Sequence, residues 1–477
     1  MNSLETEKSS DLNKRVSVSR FEWIQLISTI CIPIIIAIYT IVQNQSNQSI
    51  AESNRIKDIE IADASRSAEF ETAKENRLNE IMIAEKSREK DRELSLDQQR
   101  QTILVEYHNF LTKILMEFGT TGNKATNVRL VIRFMTITAL SQLDVIRKSL
   151  ILRSLSEARL INLERKSQLF DESFLQLKRV DLTNTIFNLN LYSSIEKSDL
   201  MYNYWNYLWL PESILTNASF RSVFLDCSVF SFSYLDFADF SFATSRAPIC
   251  FDNDRETKID FSSTSLINAT FYRANFIAAD FSNANLTFTN MRYLYCRDCK
   301  FISTLFIHVD LSFLHMFSTF YKIYMCLFLS TTLNNVIIHS AVLGSINFTN
   351  SNWTNVYASY TLFRNNTLSY LTMKNCFLSN NKLYDTIFRN TTLYDIDMFN
   401  NTLQNVNFIN NYMENINFSY IYCKFCYFTN SQLKKIIFIH ASFIHSTFLH
   451  SHVNITQLIE EAKVLINVTL PNGTIIN

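Results

Sequence analysis

Two Cys-x-x-Cys pairs have the spacing in this chain that most resembles a chemical site. Cys296 and Cys299 form the first pair, and Cys423 and Cys426 form the second. Two such half-sites could hold zinc, which binds thiolates well. Each pair also follows a five-residue period that turns both positions inward, where a free thiol behaves as a small hydrophobic group. Core thiols are therefore favoured over zinc or redox chemistry, and inward thiols indicate a reducing compartment. Two further cysteines share the inward position: Cys326 and Cys376.

Other polar clusters have weaker spacing for metal binding. His440, His445 and His450 recur every five residues. Because successive repeat units must lie on different faces, their rings are expected to diverge and to lie at solvated corners. Residues 252–256 resemble a calcium loop, with the sequence DNDRE. This segment lacks the following glycine and the distal glutamate of such loops, so a solvated insertion is expected.

The acidic residues form no catalytic pair, and no catalytic motif is present. Asp236 and Asp239 flank interior positions and are expected to point outward. Neither a Ser-His-Asp set, nor a His-Glu-x-x-His motif, nor a kinase motif can be written with this sequence. The four glycines also leave no P-loop or dinucleotide fingerprint. We therefore expect no catalytic, cofactor-binding or metal-binding residue and no enzymatic activity.

The composition is unusual for a globular enzyme of 477 residues, since 39 Phe and 21 Tyr accompany only four Gly and four Pro. Lysine plus arginine equals aspartate plus glutamate, at 44 each. Because the net charge is zero, no global field attracts the chain to nucleic acid, and no nucleic-acid partner is expected.

The N-terminal part contains one long uncharged segment. Residues 1–20 are polar and predict a disordered tail. Residues 21–43 contain the sequence WIQLISTICIPIIIAIYTIV, which at about 20 apolar residues is long enough to cross a bilayer. This segment predicts a transmembrane helix and a single-pass membrane protein, and the flanking Lys and Arg mildly favour a cytoplasmic N-terminus.

An 11-residue repeat occupies residues 48–98. Arg55, Arg66, Arg77 and Arg88 are spaced 11 apart, and an acidic residue follows each one three positions later. Because 11 residues make about three helical turns, the repeat predicts one long charged helix. Two interpretations remain open: a coiled coil, which would make the chain a homo-oligomer, and a solitary stalk.

Residues 99–160 carry apolar residues at helical spacing and predict a small helical domain.

The period changes to five from about Leu177. Long runs of Phe, Leu, Met and Trp recur every fifth residue, and the position two before each of them is usually small or apolar. A period of five fits neither a straight strand nor an α-helix, so the chain must turn once per repeat. The turn is predicted two residues after each large residue. In the C-terminal half that position is mostly Asn or Asp, which tolerate unusual backbone dihedral angles.

These repeats resemble the pentapeptide-repeat family, whose pattern A-(D/N)-L-x-x stands here as ATFYRANFIAADFSNANL at 269–286. The resemblance implies that residues 165–455 form an all-β, right-handed quadrilateral β-helix with four repeats per coil. About 12 coils at roughly 4.8 Å each would give a rod of about 60 Å. Residues 456–477 resemble the C-terminal cap of such chains, a short helix followed by a turn. The helical repeats at the N-terminus resemble those of membrane-anchored members.

The repeat pattern departs from regularity at three places. Residues 193–212 and 246–258 break the register and predict loops or interrupted coils. Near residue 327 the phase shifts by two positions, which predicts a bulge or kink. Before the shift Cys326 is assigned as a central residue, and after it the central residues restart at Phe328.

Taken together, these features predict a membrane-anchored, non-enzymatic scaffold or interaction module that binds a protein through the solenoid surface. An alternative is a nucleic-acid mimic that inhibits a topoisomerase, as some soluble pentapeptide-repeat proteins do. That activity needs an acidic wall, whereas acidic and basic residues nearly balance here.

Overall fold

The computed structural model describes residues 20–118, 125–162, 175–188, 204–245, 259–317 and 326–477. Contacts divide the chain into two units, Met1–Leu96 and Asp97–Asn477. The predicted tail over 1–20 lies outside the described residues except for Arg20. The helices are α1 (Arg20–Phe118), α2 (Ala125–Gln142), α3 (Val145–Glu157) and α4 (Ile455–Glu461).

The first unit consists of the N-terminal part of α1, which is one continuous helix of 99 residues that includes Pro33. Its described side chains are all exposed. Arg66 contacts Asp63 at 3.8 Å, so this arginine of the 11-residue repeat pairs with an acid three residues earlier rather than later. Exposed pairs of this kind stabilise a helix by only about 0.3 kcal/mol each.

The predicted transmembrane helix over 21–43 and the predicted single-pass membrane location are wrong. Among the residues described with their side chains, no helix is long and apolar enough to cross a membrane. This segment forms part of the 99-residue helix α1, which continues without a break into the charged 11-residue repeat.

The second unit is a β-solenoid preceded by helices, and most of its strands are two or three residues long. Those of the first described coils and the middle coils are β1 Thr244–Ser245, β2 Ile259–Asp260, β3 Asn275–Ile277, β4 Ala279–Asp280, β5 Tyr295–Arg297, β6 Leu305–Ile307, β7 His315–Phe317, β8 Cys326–Leu327, β9 Thr332–Asn334, β10 Ile337–His339, β11 Val342–Gly344, β12 Ile346–Asn347, β13 Asn352–Thr354, β14 Tyr357–Ser359 and β15 Leu362–Arg364. Those that follow are β16 Thr367–Ser369, β17 Thr372–Lys374, β18 Lys382–Tyr384, β19 Ile387–Arg389, β20 Thr392–Asp397, β21 Thr402–Gln404, β22 Asn407–Ile409, β23 Tyr412–Asn417, β24 Tyr422–Lys424, β25 Tyr427–Thr429, β26 Gln432–Lys434, β27 Ser442–Ile444, β28 Val464–Ile466, β29 Val468–Thr469 and β30 Ile475–Ile476.

Each strand pairs in parallel with the strand one coil away. In the regular coils the partners are four repeats apart in the sequence, as Thr402 pairs with Tyr422 and Asn407 pairs with Tyr427. Four five-residue repeats therefore make one coil, as the resemblance implied. The longest sheet has eleven strands in the order β1-β3-β5-β7-β11-β15-β18-β21-β24-β27-β28.

The large residue at the centre of each repeat fills the interior of the coil. Phe388, Phe408 and Phe428 stack with ring centroids 4.8 and 4.7 Å apart, and all three are buried. The residue two positions after each central residue has a positive φ, for example 53° at Asn390 and 55° at Asn410. The predicted position of the turn is thus confirmed, because the left-handed conformation reverses the chain direction and Asn tolerates it.

Buried asparagines at the small inward position connect neighbouring coils. Asn366 accepts a hydrogen bond from the backbone N–H of Ile346 at 2.9 Å and donates one to the carbonyl oxygen of Leu343 at 3.0 Å. These bonds satisfy polar groups that would otherwise be costly to bury. The same role is taken by Asn381, Asn401 and Asn411.

The solenoid has about 10 turns, fewer than the predicted 12. The reason is that some neighbouring coils are connected by more than the 20 residues of four repeats. The additional residues do not form a coil of their own. Asn184 and Asn217 are partners 33 residues apart, and Asp236 and Ile267 are partners 31 apart. Near the phase shift at residue 327, His315 pairs with Val342 rather than with a residue 20 positions later, so the connection between these two coils is also longer.

Two parts of the predicted register are corrected. Residues 204–212 belong to regular repeats, since Trp205 and Leu210 are buried and φ is positive at Tyr207 and Glu212. Residues 193–203 and 246–258 lie outside the described part of the chain. Cys326 is not a central residue but the inward residue two positions before Phe328, because the new phase begins with β8.

Both ends of the solenoid are covered by other elements of the second unit. The Arg133 side chain of α2 donates hydrogen bonds to the backbone carbonyls of Gln176 and Lys178 in the first coil. At the other end, β28 pairs with β27, and the carboxylate of Glu461 accepts a hydrogen bond from the backbone N–H of Phe438 at 2.7 Å. Covering the ends protects unpaired strand groups from pairing with another chain.

Candidate interaction surface

The Cys-x-x-Cys pairs form disulfide bonds rather than the free core thiols expected. Cys296 is bonded to Cys299, and Cys423 is bonded to Cys426. Within each pair, the first cysteine is a central residue and the second is the inward residue of the next repeat. Both side chains therefore enter the same interior, with Cα atoms 5.9 Å apart, a normal distance for a disulfide. The expectation of free thiols at these four positions is corrected.

Two further buried cysteines keep their thiols, Cys326 and Cys376. Burial raises the pKa of the Cys326 thiol to about 12 and that of the Cys376 thiol to about 11. Both groups are thus protonated at neutral pH, and a protonated buried thiol is a poor nucleophile and metal ligand.

The three histidines lie at successive corners of the coil and do not converge. His440 contacts the Tyr420 ring at a centroid distance of 4.9 Å, and His445 stacks on Phe425 at 5.3 Å. All three, including His450, have positive φ at the turn position. Among the described residues no group of His, Cys, Asp or Glu could hold a metal ion.

The carboxylates of Asp236 and Asp239 accept hydrogen bonds from the backbone. Asp236 accepts a hydrogen bond from the backbone N–H of Ile267 at 2.9 Å, and Asp239 accepts one from that of Ser241 at 2.8 Å. Asp260 is half-buried in the adjacent wall, and this partial burial raises the pKa of its carboxyl group. The predicted acidic loop at 252–256 lies outside the described residues.

A shallow groove of about 630 Å³ lies on the wall near Phe232 and Tyr234 and is lined by Ser, Thr and Asn side chains. Its carboxylate, Glu212, is within 3.2 Å of the Arg179 side chain and within 3.7 Å of that of Lys178. Such an ion pair is typical of a structural surface contact rather than of an acid or base poised for proton transfer.

Rows of polar side chains run along the corners in the C-terminal half. Asn400 donates a hydrogen bond to Asn380 at 2.8 Å, and Asn410 donates one to Asn390 at 3.2 Å. This confirms that turn residues four repeats apart share a face. The rows consist of rigidly spaced amide groups that remain partly accessible to a partner.

A second kind of corner was not predicted. We call it the aromatic corner, because rings from successive coils contact one another there with centroid distances of 4.6–5.8 Å. A departure from the Asn and Asp preference at the turn position is the signal in the sequence that could have revealed it. The aromatic corner comprises Phe242, Tyr272, Tyr293, Phe313, His339 and Tyr360.

Comparison with known proteins agrees with the geometry of the coils. The model of the family described as "Pentapeptide repeats" matches in eight copies, including residues 257–292 and 279–312. No curated protein matches the chain significantly.

Several solved structures are similar to parts of the chain at low sequence identity. HetL of the cyanobacterium Nostoc, involved in heterocyst differentiation regulation, is 15% identical over 57% of this chain and 94% of its own, with a TM-score of 0.23. QnrB1, a plasmid-mediated fluoroquinolone resistance protein, is 14% identical over 46% of this chain and 86% of its own, with a TM-score of 0.20. The A-module of a mannuronan C-5 epimerase of Azotobacter vinelandii is 7% identical over 67% of this chain and 95% of its own, with a TM-score of 0.28.

The TM-scores are too low for these structures to carry an argument about function. The family assignment rests instead on the matching repeats, on the pairing of strands four repeats apart, and on the turn at every fifth residue. This chain is a member of the pentapeptide-repeat family.

Proposed function

We propose that this protein is a non-enzymatic interaction module whose solenoid corners bind a protein partner. The observation that carries the proposal is the alignment of polar side chains along the rod, such as Asn390 with Asn410. Side chains repeated at every coil can contact successive residues of an extended partner. Solenoids of several families bind their partners through such extended surfaces.

The absence of enzymatic activity is part of this proposal. The interior of the coils is filled by stacked rings such as Phe408 and Phe428, which leaves no depth for a substrate. Of the candidate groups in the described residues, the cysteines are bonded or protonated and the histidines diverge from one another. Catalysis requires such groups to converge on one reacting atom.

A nucleic-acid mimic remains the weaker candidate. Imitation of phosphates needs a wall of carboxylates without counter-ions. On the surface of this solenoid, Asp239 lies 3.6 Å from Arg221, and Asp310 lies 3.6 Å from Arg292. Paired carboxylates present little net negative charge to a nucleic-acid-binding enzyme.

The proposal is tested by affinity capture with the full chain and four variants. Each variant replaces outward residues on one of the four faces between residues 340 and 430, while the central and inward residues are unchanged. We expect the substitutions on one face to abolish capture of a given partner and those on the opposite face to have little effect. Equal loss from all four faces, or a measurable turnover that one residue controls, would contradict the proposal.

A further inference from the structure

We propose that the aromatic corner, together with its arginines, is the binding site for an extended acidic segment of a partner protein. The inference rests on the proposed interaction function and names the surface and the chemistry of the partner. Three arginines accompany the rings: Arg221 lies over Phe242 at 5.1 Å, Arg273 lies over Tyr272 and Tyr293 at 5.4 and 5.3 Å, and Arg292 lies over Tyr293 at 5.9 Å.

The backbone conformation at this corner is unfavourable for the side chains that it carries. Phe242, Arg273, Tyr293 and Phe313 occupy the turn position of four successive coils, with φ between 54° and 59°. A bulky residue in this conformation is less favourable than Asn, because its Cβ and side chain crowd the backbone. Farther along the same corner the position is Asn, at Asn380 and Asn400. The fold thus accepts Asn here, and the aromatic and arginine residues are less favourable for folding alone.

The rings of the aromatic corner are exposed to solvent. Tyr293 is 37% exposed, Phe313 is 36% exposed and Tyr360 is 65% exposed. Their rings line one edge of the rod over successive coils, about 4.8 Å apart along the axis. Exposed aromatic rings in a row are typical of a surface that becomes buried in a complex.

The arginines of the aromatic corner differ in their ion pairs. Arg221 and Arg292 each have a carboxylate at 3.6 Å, in Asp239 and Asp310 respectively. Arg273 lies between them along the corner, and within the described ranges its guanidinium contacts aromatic rings but no carboxylate. A carboxylate of a partner would complete its charge-assisted, bidentate hydrogen bonds.

The arrangement of the rings favours a peptide over single-stranded nucleic acid. Tyr293 and Phe313 stack with centroids 4.6 Å apart and planes within 3° of parallel. Because the facing sides of these two rings already cover each other, a base cannot insert between them as it does in stacking sites for single strands. The ring edges and the tyrosine hydroxyls remain available to apolar side chains and to backbone carbonyls of an extended peptide.

The test measures fluorescence anisotropy of labelled 12-residue probes with the full chain. The probes are a peptide of repeated Glu-Ser-Leu, a peptide of repeated Lys-Ser-Leu, and dT12. We expect the acidic peptide to bind at least about tenfold more tightly than either of the others. Arg273→Asn and Tyr293→Asn should each weaken its binding by about tenfold, while the unfolding midpoint is unchanged or higher because Asn favours positive φ.

The matched control is Phe288→Asn, which makes the same kind of change at the turn position of another corner. Phe288 is 54% exposed, has φ of 58° and stacks on His308. Its replacement should leave binding of the acidic peptide unchanged. Failure of the acidic peptide to bind, tighter binding of dT12, or an equal effect of Phe288→Asn would overturn the inference. The interaction function would still stand if face-wise variants remained selective in affinity capture.

Discussion

Phe408 stacks on Phe388, four repeats earlier in the chain, with ring centroids 4.8 Å apart and planes within 14° of parallel. Phe428 continues the stack on the other side at 4.7 Å. Every coil therefore depends on the coils before and after it, so stability is shared between neighbours as in other solenoids.

Replacing Phe408 by Asp should unfold the neighbouring coils. The substitution removes a fully buried ring, which by itself costs about 3–5 kcal/mol, and places a carboxyl group where it has no partner. Denaturant unfolding followed by circular dichroism measures the loss. Asn410→Asp is the control. Asn390 can turn its exposed amide to donate to the new carboxylate, which gives an Asp–Asn pair with the order of Asp385 and Asn405 reversed, so stability should change by less than about 0.5 kcal/mol. Similar effects of both changes would contradict the assignment of interior and exterior.

Replacing Tyr370 by Asn should stabilise the protein by about 1 kcal/mol. Tyr370 is 61% exposed and has φ of 52°, a conformation that Asn adopts more readily than Tyr. The reciprocal change in the next repeat, Asn375→Tyr, should destabilise by a similar amount, since Asn375 also has φ of 52°. The free energies of unfolding of both variants test this prediction, and the same sign for both would refute it.

Stability should fall between pH 9 and pH 11 because of the two buried thiols. Burial raises the pKa of Cys326 to about 12 and of Cys376 to about 11, compared with 9.0 for an exposed thiol. Below pH 9 each thiol is neutral in both the folded and the unfolded chain, and its full contribution to the free energy of unfolding is present. As the pH rises above 9, the thiol loses its proton in the unfolded chain but keeps it in the folded protein, so this contribution is lost.

At pH 10 the predicted loss is about 1.4 kcal/mol per thiol relative to pH 8. The double variant Cys326→Ala, Cys376→Ala is less stable at pH 8, because it loses two buried side chains, but its change in stability between pH 8 and 10 should be smaller. Unfolding by urea at both pH values makes the comparison. An identical pH dependence of the parent and the variant would exclude a contribution from these thiols.

We expect the row Ile59, Phe70 and Ile81 in α1 to mediate association between chains. These residues are 11 apart, so they lie on one helix face, and they are 55%, 68% and 48% exposed. Their joint replacement by Glu should convert a concentration-dependent oligomer into a monomer in sedimentation velocity. Ile83→Glu, on a different face, is the control and should not change association. A parent chain that is monomeric at every concentration would leave only the stalk interpretation.

The repeat positions Phe408 and Asn410 show how much could be read from the sequence. A period of five residues can bury the same position only if the chain turns once per repeat, so the interior residue and the turn residue follow from the spacing alone. The family assignment, the long N-terminal helix, the helical region and the C-terminal cap follow from similar local patterns. The transmembrane helix predicted at 21–43 shows the opposite case, because these residues belong to the 99-residue helix α1 and no helix in the described part of the chain is long and apolar enough to cross a membrane.

By itself, the sequence determined which residues of each repeat face inward, because that depends on a local period. Only the tertiary structure decided which residues become neighbours across coils, because this depends on the number of residues between coils. The tertiary structure thus decided that residues 204–212 belong to regular coils, and that Arg273 lies against both Tyr272 and Tyr293. The physical reason is that irregular insertions shift every later repeat to a new face, so contacts between coils cannot be derived from the five-residue period alone.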